Sequence, residues 1–189
     1  MHEQEPFHGW YRFYDPESDE LSPFYGVEHS EFYYDRQVYE YLAHPLWEDF
    51  GSDGLLTKVL FANYDSGFAV LEMFGVWNDL IQNDFKLLHE NCLSTMMEAG
   101  IQRFAFIMEN VLNIYLESDD YYEAVSDELD AGWIALVRLR PHVTEELLTL
   151  GLDRYCYWSP TLAEIQWRKL TPVQLCSLIE SEISRMLPN

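Results

Sequence analysis

Beyond residue 54, short runs of β-prone residues alternate with longer stretches of helical rhythm, and this alternation narrows the fold more than any other feature. Residues 57–62 (TKVLFA) and 68–74 (FAVLEMF) flank 63–67 (NYDSG), a turn signal that predicts a β-hairpin. Residues 78–98 carry Leu80, Ile81, Phe85, Leu87, Leu88, Cys92, Leu93 and Met96 at helical spacing, and the rhythm stops at Gly100. Residues 103–108 (RFAFIM) read as a buried strand, 120–129 as an acidic helix, 132–139 as a strand and 153–158 as the last strand. Pro141 starts a helix that Gly151 ends, and Pro172 starts a closing helix that runs to about residue 186. Strands and helices in this order predict an α/β fold with a mixed sheet covered by helices.

Residues 1–54 have a different character. Ten aromatics lie between Tyr11 and Tyr41, and residues 16–23 (PESDELSP) supply an exposed acidic turn. The reading is an aromatic, acidic, β-rich extension packed on a main domain at 55–189. Residues 36–47 fit either strand or helix until Pro45. The aromatics either pack on the main sheet or leave an exposed patch suited to a basic protein or to self-association.

Charge separates the function classes. The chain has 33 Asp and Glu against 11 Lys and Arg, a net charge of -22. Such a field repels nucleic acid and anionic membrane and draws in basic protein surfaces. Residues 1–53 hold thirteen acids against Arg12 and Arg36, and residues 117–130 hold seven acids with no Lys or Arg. The second run is either a solvated helix face or a docking surface. The three cysteines form no CxxC pair and suit a reducing compartment. The first ten residues lack the basic and apolar regions of a signal peptide, and no stretch reaches the length of a membrane helix, so the expected location is cytoplasmic.

The order of elements resembles the STAS domain, the fold of bacterial anti-sigma-factor antagonists and of sulfate-transporter tails. Residues 133–158 (WIALVRLRPHVTEELLTLGLDRYCYW) look like that family's strand, proline-started helix ending in GLD, and final strand. Residues 58–75 resemble its opening hairpin and 171–186 its terminal helix, so the resemblance covers residues 55–187 and leaves 1–54 outside it. The family's signature is an Asp-Ser-Ser-Gly loop whose serine is phosphorylated to control docking. Here residues 115–120 (YLESDD) stand at that point, with Ser118 near the regulated serine, Glu117 for the aspartate, no glycine, and Asp119 and Asp120 following. The resemblance implies a partner-binding or phosphorylation site at Glu117, Ser118, Asp119, Asp120 and Glu123. A phosphate on Ser118 would meet a favourable helix dipole and three repelling carboxylates, and the alternative is that Ser118 or Asp120 caps the helix.

No motif for catalysis or cofactor binding is present: no Gly-rich phosphate loop, no GxSxG, no HExxH. His89 and Cys92 share a predicted helix face without a third zinc ligand, and Asp15, Glu17, Asp19 and Glu20 lack the glycine and distal glutamate of a calcium loop. The expectation is a non-enzymatic regulatory or scaffold protein, without cofactor or metal, that binds a basic protein through the acidic loop and helix. The alternatives are an acidic nucleic-acid mimic and an enzyme with an unrecognised pocket.

Overall fold

The computed structural model describes residues 2–30 and 32–186; Met1, Glu31 and residues 187–189, including the end of the STAS resemblance at Leu187, lie outside the described residues. Three short strands, β1 (His2–Gln4), β2 (Gln37–Val38) and β3 (Tyr41–Ala43), form a small sheet in the order β1-β3-β2. The main sheet has the order β4-β5-β6-β7-β8, with β4 (Leu55–Asn63), β5 (Phe68–Asn78), β6 (Arg103–Tyr115), β7 (Trp133–Val137) and β8 (Cys156–Tyr157). The β4–β5 hairpin is antiparallel and the other three pairings are parallel, so the sheet is mixed and the expected α/β class holds.

Side-chain alternation sends the two halves of each strand to two cores. Leu55, Val59, Leu71, Met73, Phe104 and Phe106 meet a first layer of helices. This layer comprises α1 (Asp84–Leu88), a π-helical turn (His89–Leu93), α2 (Ser94–Glu98), α3 (Asp120–Glu128) and α4 (Pro141–Thr149), contributing residues such as Leu88, Cys92, Met96, Val125 and Leu147. Leu60, Phe68, Val70, Ala105 and Ile107 face the opposite way. They are covered by Trp10 of the extension, α5 (Pro160–Glu164), the 3-10 turn Trp167–Lys169 and α6 (Pro172–Met186), through Leu162, Trp167, Leu175 and Ile179. Burial on both faces explains why β5 and β7 are written as nearly continuous apolar runs.

The elements depart from the sequence expectations at their ends. The helix expected from residue 78 begins at Asp84, because Asn78 and Asp79 turn the chain first. Asn83 takes a left-handed φ of 56° before it. Strand β6 runs seven residues past Met108, since β5 continues alongside it to Asn78. Strand β8 keeps two residues, because a 3-10 turn at Leu152–Arg154 occupies the start of the expected strand. In the extension the aromatic stretches 9–15 and 24–30 form turns and coil; its strands lie elsewhere, and 36–43 takes the strand option.

Gly75 sits where β4 and β5 diverge, at φ 125°, and a Cβ there would lie 2.1 Å from the Gly54 carbonyl oxygen. Both the left-handed backbone and the backbone clash act against any side chain. Gly75→Ala is therefore expected to lower the unfolding free energy by roughly 2–4 kcal/mol, read from urea midpoints; an unchanged midpoint would show that this corner relaxes freely.

Candidate functional site

Strands β5 and β6 end level with one another, at Asn78 opposite Tyr115, so the two loops that follow leave the carboxyl end of the sheet side by side. The Tyr115 carbonyl accepts from the Asp79 amide at 2.8 Å, which ties the loops together. Ligands of open α/β sheets gather at this edge because the strand-to-helix loops converge there. Asp79 is the local organiser: its carboxylate accepts from the Phe85 amide at 2.8 Å, from the Trp77 indole at 3.2 Å and from the Tyr122 hydroxyl. Burial raises its pKa, and those three donors oppose the rise. Tyr122 stacks flat on Phe85 with ring centroids 4.0 Å apart, which locks α3 against α1.

The acidic loop lies between β6 and α3, as expected from the sequence. Glu117, Ser118, Asp120 and Glu123 are exposed, and Asp119 is half-buried. Asp119 is the residue before the helix and receives Arg154 Nη2 at 2.7 Å and the Tyr155 hydroxyl at 3.1 Å. Neither Ser118 nor Asp120 caps α3, contrary to that alternative: Asp119 occupies the cap position, and its side chain is turned to Arg154 and Tyr155 instead of to the helix amides. Glu117 and Ser118 line a cleft of about 80 Å³ together with Asp79, Asn83, Lys86 and Tyr121. The structure thus brings Glu117 and Ser118 to one opening, while Asp119 braces α3 against the loop before β8.

The helical spacing over residues 78–98 puts Leu80 and Ile81 within a helix, and the structure overturns this. They lie in the β5–α1 loop, 53% and 75% exposed. The reason is local hydrogen bonding: the Asn78 carbonyl receives the Gln82 amide at 3.1 Å, the Asn78 side chain receives the Ile81 amide at 3.1 Å, and the Asp84 carboxylate receives the Asn78 amide at 2.7 Å. Tyr115, 43% exposed, adjoins this loop through its carbonyl, which also receives the Leu80 amide at 3.4 Å, and the Tyr39 hydroxyl of the extension accepts from Asn113 Nδ2 at 3.4 Å. Exposed Leu80 and Ile81 therefore sit on a loop tied by its backbone to Tyr115, two residues before Glu117. The Asn-Asp-x-x-x-Asn-Asp spacing of residues 78–84 was the available sequence signal, since such residues favour turns over helix interior.

Three other groups of polar residues bear on chemistry. Lys58 on β4 is 2% exposed and donates to Glu17 at 2.6 Å and Glu48 at 3.0 Å; His29 Nε2 reaches the same two carboxylates at 3.1 and 2.9 Å. Glu17, His29 and Glu48 converge closely enough to hold a metal ion. The Lys58 ammonium already places a positive charge between the carboxylates, so a metal would have to displace it. The hydrogen bond to Glu48 raises the His29 pKa; burial alone would lower that of Lys58, but Glu48 and Glu17 outweigh it and raise it. Asp15, Glu17 and Asp19 do not share a loop centre: Asp15 binds Ser18, Glu17 turns to Lys58, and Asp19 receives the hydroxyls of Tyr14 and Tyr64. His89 contacts Tyr121 and Glu128, whereas Cys92 is buried in the helix layer.

A further buried carboxylate, Glu72, lies in β5. Its carboxylate accepts from the Phe7 amide at 2.7 Å and Asn110 Nδ2 at 3.1 Å, and Arg168 Nη2 stands 3.4 Å away. Arg168 also pairs with Glu109, which receives the Trp167 indole at 3.2 Å. Burial pushes the Glu72 carboxyl up from 4.5 to about 7, against the pull of the Phe7 amide and Arg168. A raised carboxyl pKa means that the folded chain binds more protons than the unfolded chain between those two values, so stability falls as pH rises through that window. Relative to the wild type, Glu72→Gln should gain roughly 2–3 kcal/mol between about pH 5 and about pH 8 in urea titrations; a difference independent of pH would show that Glu72 stays ionised. No protein-family model matches this chain and no curated protein is similar to it, so the reading of its function rests on the geometry of these sites.

Proposed function

We propose that this protein is a non-enzymatic regulatory or scaffold protein that docks a protein with a basic surface at the carboxyl end of its main sheet. The observation that carries the reading is the exposure of Leu80 and Ile81 on a loop pinned by backbone hydrogen bonds, directly beside the acidic loop of Glu117 to Asp120. Exposed aliphatics held in a fixed geometry lose little entropy on docking, and they can fill an apolar depression in a partner. The carboxylates of Glu117, Asp120 and Glu123 at the rim select basic partners and speed their approach.

A STAS-like descent of the main domain is part of the proposal. It is supported by the mixed sheet, by α1 to α4 lying on one face, and by the position of Ser118 between β6 and α3. In this reading Ser118 lies at the mouth of the docking surface, where a phosphate would add charge to the rim.

The test uses the full chain carrying a photo-crosslinker at Tyr115, with Ile81→Asp and the pair Glu117→Gln, Asp120→Asn as comparison variants. All four positions are exposed, so the fold is not at stake. A crosslinked partner is expected whose affinity falls at least about tenfold in each variant. The acid variants should also flatten the salt dependence. Equal affinity in all three proteins would place the docking surface elsewhere.

A further inference from the structure

Residues 5–10 lie over the main sheet as a strap, and their attachment to it is slight. Among the described residues the strap makes two hydrogen bonds to residues 55–186: the Phe7 amide donates to the Glu72 carboxylate at 2.7 Å, and the Trp10 indole donates to the Leu170 carbonyl at 3.0 Å. The rest of the contact is apolar, with Phe7 and Trp10 edge-to-face on Trp167 at ring-centroid distances of 4.9 and 5.5 Å. We propose that this strap is latched by a proton: it is seated while the Glu72 carboxyl is protonated and is released as the carboxyl ionises. Segments held by few contacts open at a lower cost than global unfolding, so a charge that forms beneath one decides how often it opens.

The charges around Glu72 give the latch its sign. Glu72 is 0% exposed, and Arg168 is its one ion-pair partner among the described residues, with Nη2 3.4 Å away. The same guanidinium pairs with Glu109, so one positive charge faces two carboxylates. Arg138 stands 3.7 Å from Glu109 and Arg140 is bound to the Glu109 carbonyl, and neither pairs with Glu72. Lys58 lies directly opposite in β4, but its ammonium is held by Glu17 and Glu48. Asn110 of β6 and the Phe7 amide of the strap are neutral donors. The strap's own titratable side chains, Glu5 and His8, are exposed and pair with each other at 3.7 Å. An ionised Glu72 therefore has a share of one guanidinium and two neutral donors in place of its water. Lifting the strap returns water to the carboxylate, whereas a protonated carboxyl gains little from it. Burial holds this carboxyl up at about 7, against the Phe7 amide and Arg168. The closed strap thus binds the proton more tightly than the open one, and opening grows as pH rises.

Hydrogen exchange of the full-length protein, followed by NMR, reads the opening directly. Protection factors are measured for the Phe7 amide, the Trp10 indole N–H and, as a marker of global unfolding, the Val70 amide, which lies between β4 and β6 in the middle of the sheet. The two strap signals are expected to be at least about a hundredfold less protected than Val70 and insensitive to low urea. Their protection should fall about thirtyfold between about pH 5.5 and about pH 8.5 as Glu72 ionises. Glu72→Gln, neutral at every pH, should remove that fall, and His8→Gln, which takes the imidazole from the strap, should preserve it. Strap signals that exchange only together with Val70, or that show no fall in protection, would overturn the proposal from the wild type alone, whether or not either variant folds. A fall of equal size in Glu72→Gln would overturn it as well, since the titrating group would then lie elsewhere. The docking surface at Leu80 and Ile81 does not enter this test, so the two readings stand or fall separately.

Discussion

The parallel pairing of β5 with β6 is the constraint from which the rest of the molecule follows. It runs from Phe68 opposite Arg103 to Asn78 opposite Tyr115, well past the end of β7, whose pairing with β6 stops at Ile107 opposite Val137. Two register shifts twist the pair as it leaves the sheet. Its overhang carries the β5–α1 and β6–α3 loops forward together, and the Asp79 and Leu80 amides, both donating to the Tyr115 carbonyl, join them. With it, the loops carrying Leu80 and Ser118 leave the sheet side by side.

The extension is fastened to this frame at several points, three of which differ in their chemistry. Glu17 and Glu48 clasp Lys58 of β4, the Phe7 amide enters the carboxylate of Glu72 in β5, and the Trp10 indole donates to the Leu170 carbonyl at 3.0 Å. Buried ionic groups add little net stability, because desolvation offsets their attraction, but removing one partner leaves the other stranded. They therefore fix where the extension lies more than they hold it down. The edge-to-face packing of Phe7, Trp10 and Trp167 contributes the apolar part of the contact.

The proposed docking surface sets exposed Leu80 and Ile81 close to Glu117, which forms no ion pair among the described residues. The overall negative field favours positively charged partners there. The exception is the arginine group of Arg138, Arg140 and Arg168, which is turned onto the side chain and carbonyl of Glu109 and so spends its charge within the fold.

Local patterns in the sequence went a long way toward the fold. The turn residues 63–67 placed the hairpin, Pro141 and Pro172 placed two helix starts, and the alternation of apolar runs placed the mixed sheet, because each depends on backbone preferences within a few residues. The acidic loop was also legible, since Glu117, Ser118, Asp119 and Asp120 fall between an apolar run and a helical rhythm. Leu80 and Ile81 were not, because helical spacing of apolar residues looks the same whether or not a preceding turn delays the helix, and here Asn78, Asp79 and Asp84 delay it. Nor were the pairings of Lys58 with Glu17 and Glu48, or of Glu72 with Phe7, which join residues far apart in the chain by side chains whose partners no periodicity encodes. The sequence alone determined the class of fold, the order of its elements and the sign of its field, since these are sums of local terms. Only the tertiary structure decided which apolar residues stay outside and which carboxylates stay unpaired, because burial and charge compensation depend on neighbours that meet when the chain has folded.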